Sequence, residues 1–199
     1  MKKIVSLEKL TQKLQYVPYL AQKNTYRVAE YFLQMKPAEL NDFCRSIQDA
    51  YENIVRCVDC FSWREKLATC VFCSDSRRNA TVVCVVETWQ DLMAIEKTAG
   101  YEGVYHVLGG VIYPLEGVGP EDLTIDSLLE RVKKNKIVEV ILATNQTPEG
   151  EATAAFIAKK MGALEVKVSC LARGVPVGSS LEFVDRVTIY KALSNRSVF

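Results

Sequence analysis

Residues 137–154 read IVEVILATNQTPEGEATA, and the change of rhythm inside this stretch decides the fold. IVEVILAT is a short β-rich apolar run, Asn145 to Thr147 form a turn, and from Pro148 an amphipathic helix begins with Glu149 and Glu151 in its first turn. Acids at that end complement the positive pole of the helix dipole. The same alternation recurs upstream as VVCVVE, Thr88 to Ala99, VYHVLGG and Ile125 to Asn135, and downstream as EVKVSCLA after a helix reaching Met161. Short apolar strands alternating with amphipathic helices predict an α/β domain with a mainly parallel sheet and helices on its faces. Thr88 followed by Asp91 predicts a capping-box entry to one helix, and Gly100 is placed to close it with a left-handed residue.

Toward the N-terminus the periodicity is helical. Leu7, Leu10 and Leu14 recur at helical spacing, as do Val28, Tyr31, Phe32 and Met35. Pro37 is suited to the first turn of a third helix that carries Leu40, Phe43, Cys44, Ile47 and Tyr51 on one face. A cysteine-rich segment separates this all-α unit from the α/β pattern. The expected division is a helical domain over 1–56, a zinc element over 57–79, the α/β domain over 80–175 and a C-terminal extension over 176–199.

Cys57, Cys60, Cys70 and Cys73 form two C-x2-C knuckles separated by nine residues. Four thiolates so paired can close a tetrahedral sulfur site, which suits one structural Zn²⁺ because no ligand position is left open. An iron–sulfur cluster is the rival reading of the donor set, but nothing else in the sequence supplies an electron-transfer partner. The other three thiols, Cys44, Cys84 and Cys170, lie on apolar faces or in strands and are expected to be small core residues. With seven cysteines and no apolar leader before Glu8 and Lys9, reduced thiols in a soluble, cytoplasmic, nucleoid-associated protein are the expectation.

The 199 residues are 49% hydrophobic, and 25 basic side chains nearly balance 24 acidic ones, for a net charge of +1. No whole-molecule field draws the chain to nucleic acid or to an acidic membrane, so any such binding must come from local patches. No apolar run approaches a membrane span. His106, the one histidine, has no Ser or Cys nucleophile motif nearby and reads as a hydrogen-bonded strand residue. Gly117-Val118-Gly119-Pro120 lacks the residues of a phosphate-binding loop and reads as a turn, and Gly174 to Gly178 reads as a constrained loop.

Glu87 closes VVCVVE where an unpaired charge is expensive, and Glu149 and Glu151 follow the next-but-one strand. Function in open α/β sheets gathers at the carboxyl ends of strands, so these acids are candidates for one crevice. A lone Glu and then ATNQTPEGEA resembles the Toprim pattern, a Glu followed by Asp-x-Asp-x-x-Gly-Glu. With the helical unit, the four cysteines, YHVLGGVIYPLEGVGPEDL and GVPVGSSLEFVD, nearly the whole chain is similar to the RecR family of bacterial recombination mediators. Aligned so, Asn145 and Thr147 stand where Toprim enzymes carry two aspartates. Magnesium needs charged oxygens to hold it against water, so metal-dependent phosphoryl chemistry is not expected.

The resemblance implies a non-catalytic, DNA-binding, clamp-type mediator of DNA repair. It would form dimers or tetrameric rings, bind gapped or junction DNA, and act with RecO, and with RecF as a further candidate, in loading a recombinase. By the same resemblance Glu87, Glu149 and Glu151 belong to a partner-binding face. The family's helix-hairpin-helix has the form Leu-Pro-Gly-Val-Gly-x-Lys-x-Ala-x-Arg; here it reads VPYLAQKNTYR, from Val17 to Arg27. Lys23 and Arg27 remain as candidate DNA-binding cations one helical turn apart, but Tyr19 and Ala21 replace both glycines. The side chains of Tyr19 and Ala21 would strain a left-handed turn and crowd a phosphate. Arg64, Lys66, Arg77 and Arg78 around the cysteines are weaker candidates for the same role. Rival functions are a metal-dependent Toprim nuclease or primase, and a zinc-dependent protein adaptor that does not touch DNA.

Overall fold

A computed structural model describes residues 4–196. The chain divides into two compact units, the first ending at Ile54 and the second starting at Val55.

In the first unit α1 spans Val5–Leu14, α2 Gln22–Gln34 and α3 Pro37–Asn53, the last opened by Pro37 as the sequence predicts. The buried positions of α1 and α2 are Thr11, Thr25 and Ala29. Both threonine hydroxyls are satisfied locally, Thr11 by the carbonyls of Leu7 and Glu8 and Thr25 by that of Gln22. Such small side chains make a thin core. Helix α3 has no buried residue at all, and its Phe43, Ile47 and Tyr51 are exposed.

The second unit begins with a ribbon of β1 (Ile54–Arg56) and β2 (Trp63–Glu65) around the first cysteine knuckle, where the Arg56 guanidinium stacks 4.4 Å from the Trp63 ring. The main sheet contains β3 (Asn79–Val86), β4 (Gly103–Val107), β5 (Glu139–Leu142) and β6 (Lys167–Cys170) in the order β4-β3-β5-β6, every pair parallel. The connecting helices are α4 (Trp89–Glu96), α5 (Ile125–Lys134) and α6 (Pro148–Met161), and α7 (Arg186–Ser194) ends the described chain. Parallel strands covered on both faces read as continuous apolar runs, which is why VVCVV and VILA carry no alternation.

Two cores flank the sheet. One joins Val83, Val85, Val140 and Leu142 to Ile125, Leu128 and Val132 of α5 and to Ala154, Ile157 and Met161 of α6. Each large apolar side chain so buried contributes about 1.5–3 kcal/mol, against a few tenths for the exposed Glu130–Lys134 pair on the same helix. Burial, not surface charge, fixes α5. The other core joins Cys84, Val86, Tyr105 and Val107 to Leu92 and to Cys57, Cys60, Cys70 and Phe72. The cysteine element therefore shares its interior with the sheet.

Thr88 and Asp91 form the predicted capping box of α4, Asp91 N donating to Thr88 Oγ1 at 3.2 Å and Thr88 N to Asp91 Oδ2 at 2.9 Å. The exit of that helix differs from expectation. Ala99, with φ of 51°, takes the left-handed conformation and Gly100 does not, because the chain turns one residue earlier. Cys84 is buried as expected, but Cys44 and Cys170 are exposed: the apolar face that carries Cys44 is uncovered, and Cys170 ends the edge strand β6. Gly117, with φ of 75°, and Gly178, with φ of 86°, occupy turns that require a left-handed residue.

Candidate functional site

Strand β3 leads through α4 to β4 on one side, whereas β5 leads through α6 to β6 on the other. The connections diverge between β3 and β5, which makes the carboxyl ends of those strands a topological switch point. Glu87 follows β3 there and Asn145 follows β5. Glu87 is 7% exposed, and both its oxygens are taken: Oε1 accepts from Asn145 N at 2.6 Å and Oε2 from Asn145 Nδ2 at 2.7 Å. Charge-assisted bonds of this kind are the strong ones, and two of them satisfy a buried carboxylate without a cation. Gly150 is required at this corner, since a Cβ would strike the Asn145 carbonyl oxygen and come within 2.7 Å of Glu87 Oε1.

Thr147 caps α6, its Oγ1 accepting from Gly150 N at 3.1 Å. Glu149 is half-buried in the first turn of α6. Glu151 turns instead to the C-terminal part of the chain. Its Oε1 lies 2.7 Å from Lys191 Nζ of α7 and 3.3 Å from Arg173 Nη1. The Lys191 bond and the nearby Arg173 charge hold the Glu151 carboxyl below its usual range. The three acids do not converge: among the described residues the one group of potential ligands close enough to hold a metal is the four cysteines. Sequence reasoning offered Glu87 as a partner-binding residue; in the structure its carboxylate is buried and bonded to Asn145. The partners of Glu151 could not be read from the sequence, because they come from another element with no motif of their own.

The four cysteine Sγ atoms lie within 4.8 Å of one another. Cys57 and Cys73 are 3.9 Å apart and Cys60 and Cys70 3.5 Å, with Ser62 Oγ 3.0 Å from Cys60 Sγ. Each knuckle is a tight turn, Phe61 N donating to Cys57 O at 3.0 Å and Ser74 N to Cys70 O at 2.9 Å. Without a cation the thiols cannot all ionise. Hydrogen bonding from Cys60 drives the Cys70 thiol far down, while the bond to Cys70 pushes Cys60 up to about 12 and the bond to Cys60 pushes Cys73 higher still. A metal ion that neutralises several thiolates removes that conflict. Ser62, fully buried beside the cluster, was not singled out by spacing.

The basic residues around the cysteines have structural partners. Arg64 Nη1 donates to the carbonyls of Glu65, Lys66 and Ala68 within 3.0 Å, closing the loop between the knuckles. Arg78 pairs with Glu96 at 2.7 Å, donates to Gly103 O at 3.0 Å, and lies over the rings of Phe72 and Tyr105. Arg77 is paired with Asp75 at 2.8 Å. Lys66 remains an exposed side chain. Lys23 and Arg27 are both exposed on α2, and among the described residues no ion pair engages either. Ahead of them Tyr19 holds φ at 63°, the left-handed turn a glycine would supply, whereas Ala21 has an ordinary φ of −56°. His106 is fully buried, its Nε2 donating to Thr124 O and Oγ1 at 3.1 and 2.9 Å, and burial lowers its pKa to about 4. It is a neutral strand residue, as expected.

Comparison with known proteins is consistent with this geometry. Residues 81–172 match the Toprim domain, and residues 174–197 match the family described as RecR, C-terminal. The Recombination protein RecR of Tropheryma whipplei (strain TW08/27) is 42% identical over 190 residues, covering 96% of each chain. That of Myxococcus xanthus (strain DK1622) is 43% identical over 190 residues with the same coverage, and that of Psychrobacter cryohalolentis is 42% identical.

Proposed function

This chain belongs to the RecR family of recombination proteins, and from that premise we propose that it acts in recombinational DNA repair as a non-catalytic, clamp-type mediator. It binds gapped or junction DNA and, with RecO and with RecF as a further partner, helps a recombinase to load. The observation that carries the non-catalytic reading is the closed Glu87–Asn145 pair at the switch point. A Toprim enzyme needs that carboxylate free for a metal that neutralises phosphoryl charge. Here an amide occupies it, and Glu151 is neutralised by Lys191 and Arg173.

The cysteine cluster holds one structural Zn²⁺ in this reading. Four sulfurs about 2.3 Å from a tetrahedral zinc stand roughly 3.8 Å apart, close to the 3.9 and 3.5 Å of the two pairs. Lys23 and Arg27 supply phosphate contacts. Glu149 and the exposed surface around Gln146 and Pro148 form the face offered to RecO, with Glu87 holding it in shape. Homo-oligomerisation, as a dimer or a ring, is supported by α3, whose Ile47 and Tyr51 are exposed and whose Phe43 is only partly covered, by Phe32, among the described residues of the first unit. A cytoplasmic, nucleoid-associated protein follows from the role. Among the described residues no helix is long and apolar enough to cross a membrane.

Light scattering combined with gapped-DNA binding, with and without RecO and with Mg²⁺ or Mn²⁺ present, tests the proposal. Oligomers that bind gapped DNA more tightly with RecO and neither cleave nor extend it are expected. Cation-dependent turnover that Glu87→Gln abolishes would replace the mediator by an enzyme; an oligomer indifferent to DNA would leave a protein adaptor.

A further inference from the structure

The turn between α1 and α2 is closed by Leu20 N donating to Val17 O at 3.3 Å, and Pro18 leads it to place Tyr19 where positive φ is needed and glycine is favoured. Tyr19 sits at φ of 63°, and its ring is as exposed as in an extended chain, at 107%. A non-glycine residue in this region is disfavoured, and among the described residues the exposed ring gains no burial in return. Tyr16, on the same turn, is 82% exposed, with the Lys13 ammonium 6.0 Å from its ring. Tyr26, 63% exposed, follows on α2 three residues after Lys23 and beside Arg27. Between Glu8 and Glu30 there is no acidic residue, while Lys9, Lys13, Lys23 and Arg27 are all basic. A chain of net charge +1 therefore concentrates four cations and three exposed tyrosines in one hairpin.

We propose that this hairpin is a stacking platform for unpaired nucleobases, with Tyr19 and Tyr16 as the stacking rings and Lys23 and Arg27 as the phosphate contacts. The inference rests on the DNA-binding reading above and specifies its ligand as single-stranded DNA. Side chains at Tyr19 and Ala21 crowd the approach of a phosphate to the turn's backbone. Rings that project from such a turn offer every base a π-face instead, and cations beside them engage the sugar–phosphate chain. Charge complementarity selects a polyanion, and the Tyr19 side chain is fully exposed to meet a base. A duplex, whose bases are stacked on one another, can use the cations but not the rings.

The test compares three probes of equal length, oligo(dT), an abasic single strand and a duplex, across a salt series. The proteins are the parent chain, Tyr16→Ala/Tyr19→Gly and Lys23→Glu/Arg27→Glu, with oligomeric state followed by light scattering. The tyrosine variant restores a glycine where the turn needs one, so its fold is safeguarded. The parent is expected to prefer oligo(dT) over the abasic strand by roughly thirtyfold or more, two stacked bases being worth about 1–3 kcal/mol each. The tyrosine variant should lose that preference while keeping its duplex affinity and its salt slope. The charge variant should bind all three probes more weakly with a flatter salt slope. Equal loss of oligo(dT) and duplex binding in the tyrosine variant, an unchanged preference, or a change of oligomeric state in its place would overturn the platform while leaving DNA binding intact. Failure of the parent to bind any probe would overturn both readings.

Discussion

At the scale of single residues, Asn145 stands where the Toprim pattern carries an aspartate and pairs with Glu87. Its side-chain nitrogen donates to Glu87 at 2.7 Å, and Asn145→Asp would turn that donor into a second acceptor. Two carboxylates at this separation cannot both stay ionised without a cation. The variant is expected to lose about 1–3 kcal/mol at neutral pH, the cost of leaving a buried acceptor without its donor. The deficit should shrink as pH falls and one carboxyl takes a proton, and millimolar Mn²⁺ should restore melting temperature in Asn145→Asp/Thr147→Asp but not in the parent. Thermal denaturation across pH and Mn²⁺ checks this; a double variant as stable as the parent and blind to Mn²⁺ would mean that the Glu87 pairing is incidental.

His106 gives a second residue-level test, with the opposite origin. Burial lowers its pKa to about 4 from an ordinary 6.5, so the unfolded chain binds the proton more readily. Stability from this group is therefore fully present above 6.5 and is lost as pH falls toward 4. Between pH 7 and 5 the zinc-loaded parent should lose about 2 kcal/mol more than His106→Gln. Denaturant titration at the two pH values measures the difference.

At the scale of elements, the turn at Tyr19 predicts a stabilising substitution. Tyr19→Gly should raise the stability of the helical unit by up to about 1 kcal/mol, because it relieves a left-handed residue of its Cβ; Tyr19→Ala, which keeps that atom, should not. Helix α7 predicts a local effect. A tie to α6 is the half-buried Lys191–Glu151 pair, so Glu151→Gln should speed amide exchange over residues 186–194 while leaving the global melting temperature unchanged. The elements themselves were largely legible in the sequence. Four apolar runs gave four parallel strands, and Thr88 and Asp91 gave the box that starts α4, because covered parallel strands and helix caps are encoded within a few residues. What was not legible depends on partners distant in sequence. Cys44 looked like core because its helix face is apolar, yet among the described residues of the helical unit it is exposed. Arg78 looked like a surface cation, but Glu96 and the Tyr105 ring claim it. Asn145 was read as a poor ligand; that it clamps Glu87 needed the register of β3 against β5.

At the scale of the molecule, the cysteine element is not an appendage, and this decides what metal removal does. Cys57, Cys60, Cys70 and Phe72 share one core with Cys84, Val86, Tyr105 and Val107. Val107 N donates to Cys60 O at 2.8 Å, and Arg131 Nη1 bridges Asp59 O at 3.3 Å and Tyr105 O at 2.6 Å. A metal held by the knuckles would contribute its binding free energy to their folding. Because β4 is an edge strand whose one neighbour in the described sheet is β3 and whose Val107 N is bonded to the first knuckle, loss of the metal should spread into it. Chelation, followed with a metallochromic dye, is expected to release one zinc per chain and to lower the melting temperature of the unit that begins at Val55. Amide protection should fall first over the knuckles and residues 103–107, with β5 and β6 holding longer on the core of α5 and α6. If the knuckles melt and β4 stays as protected as before, the shared core is too weak to couple them, and zinc would stabilise only its own loop.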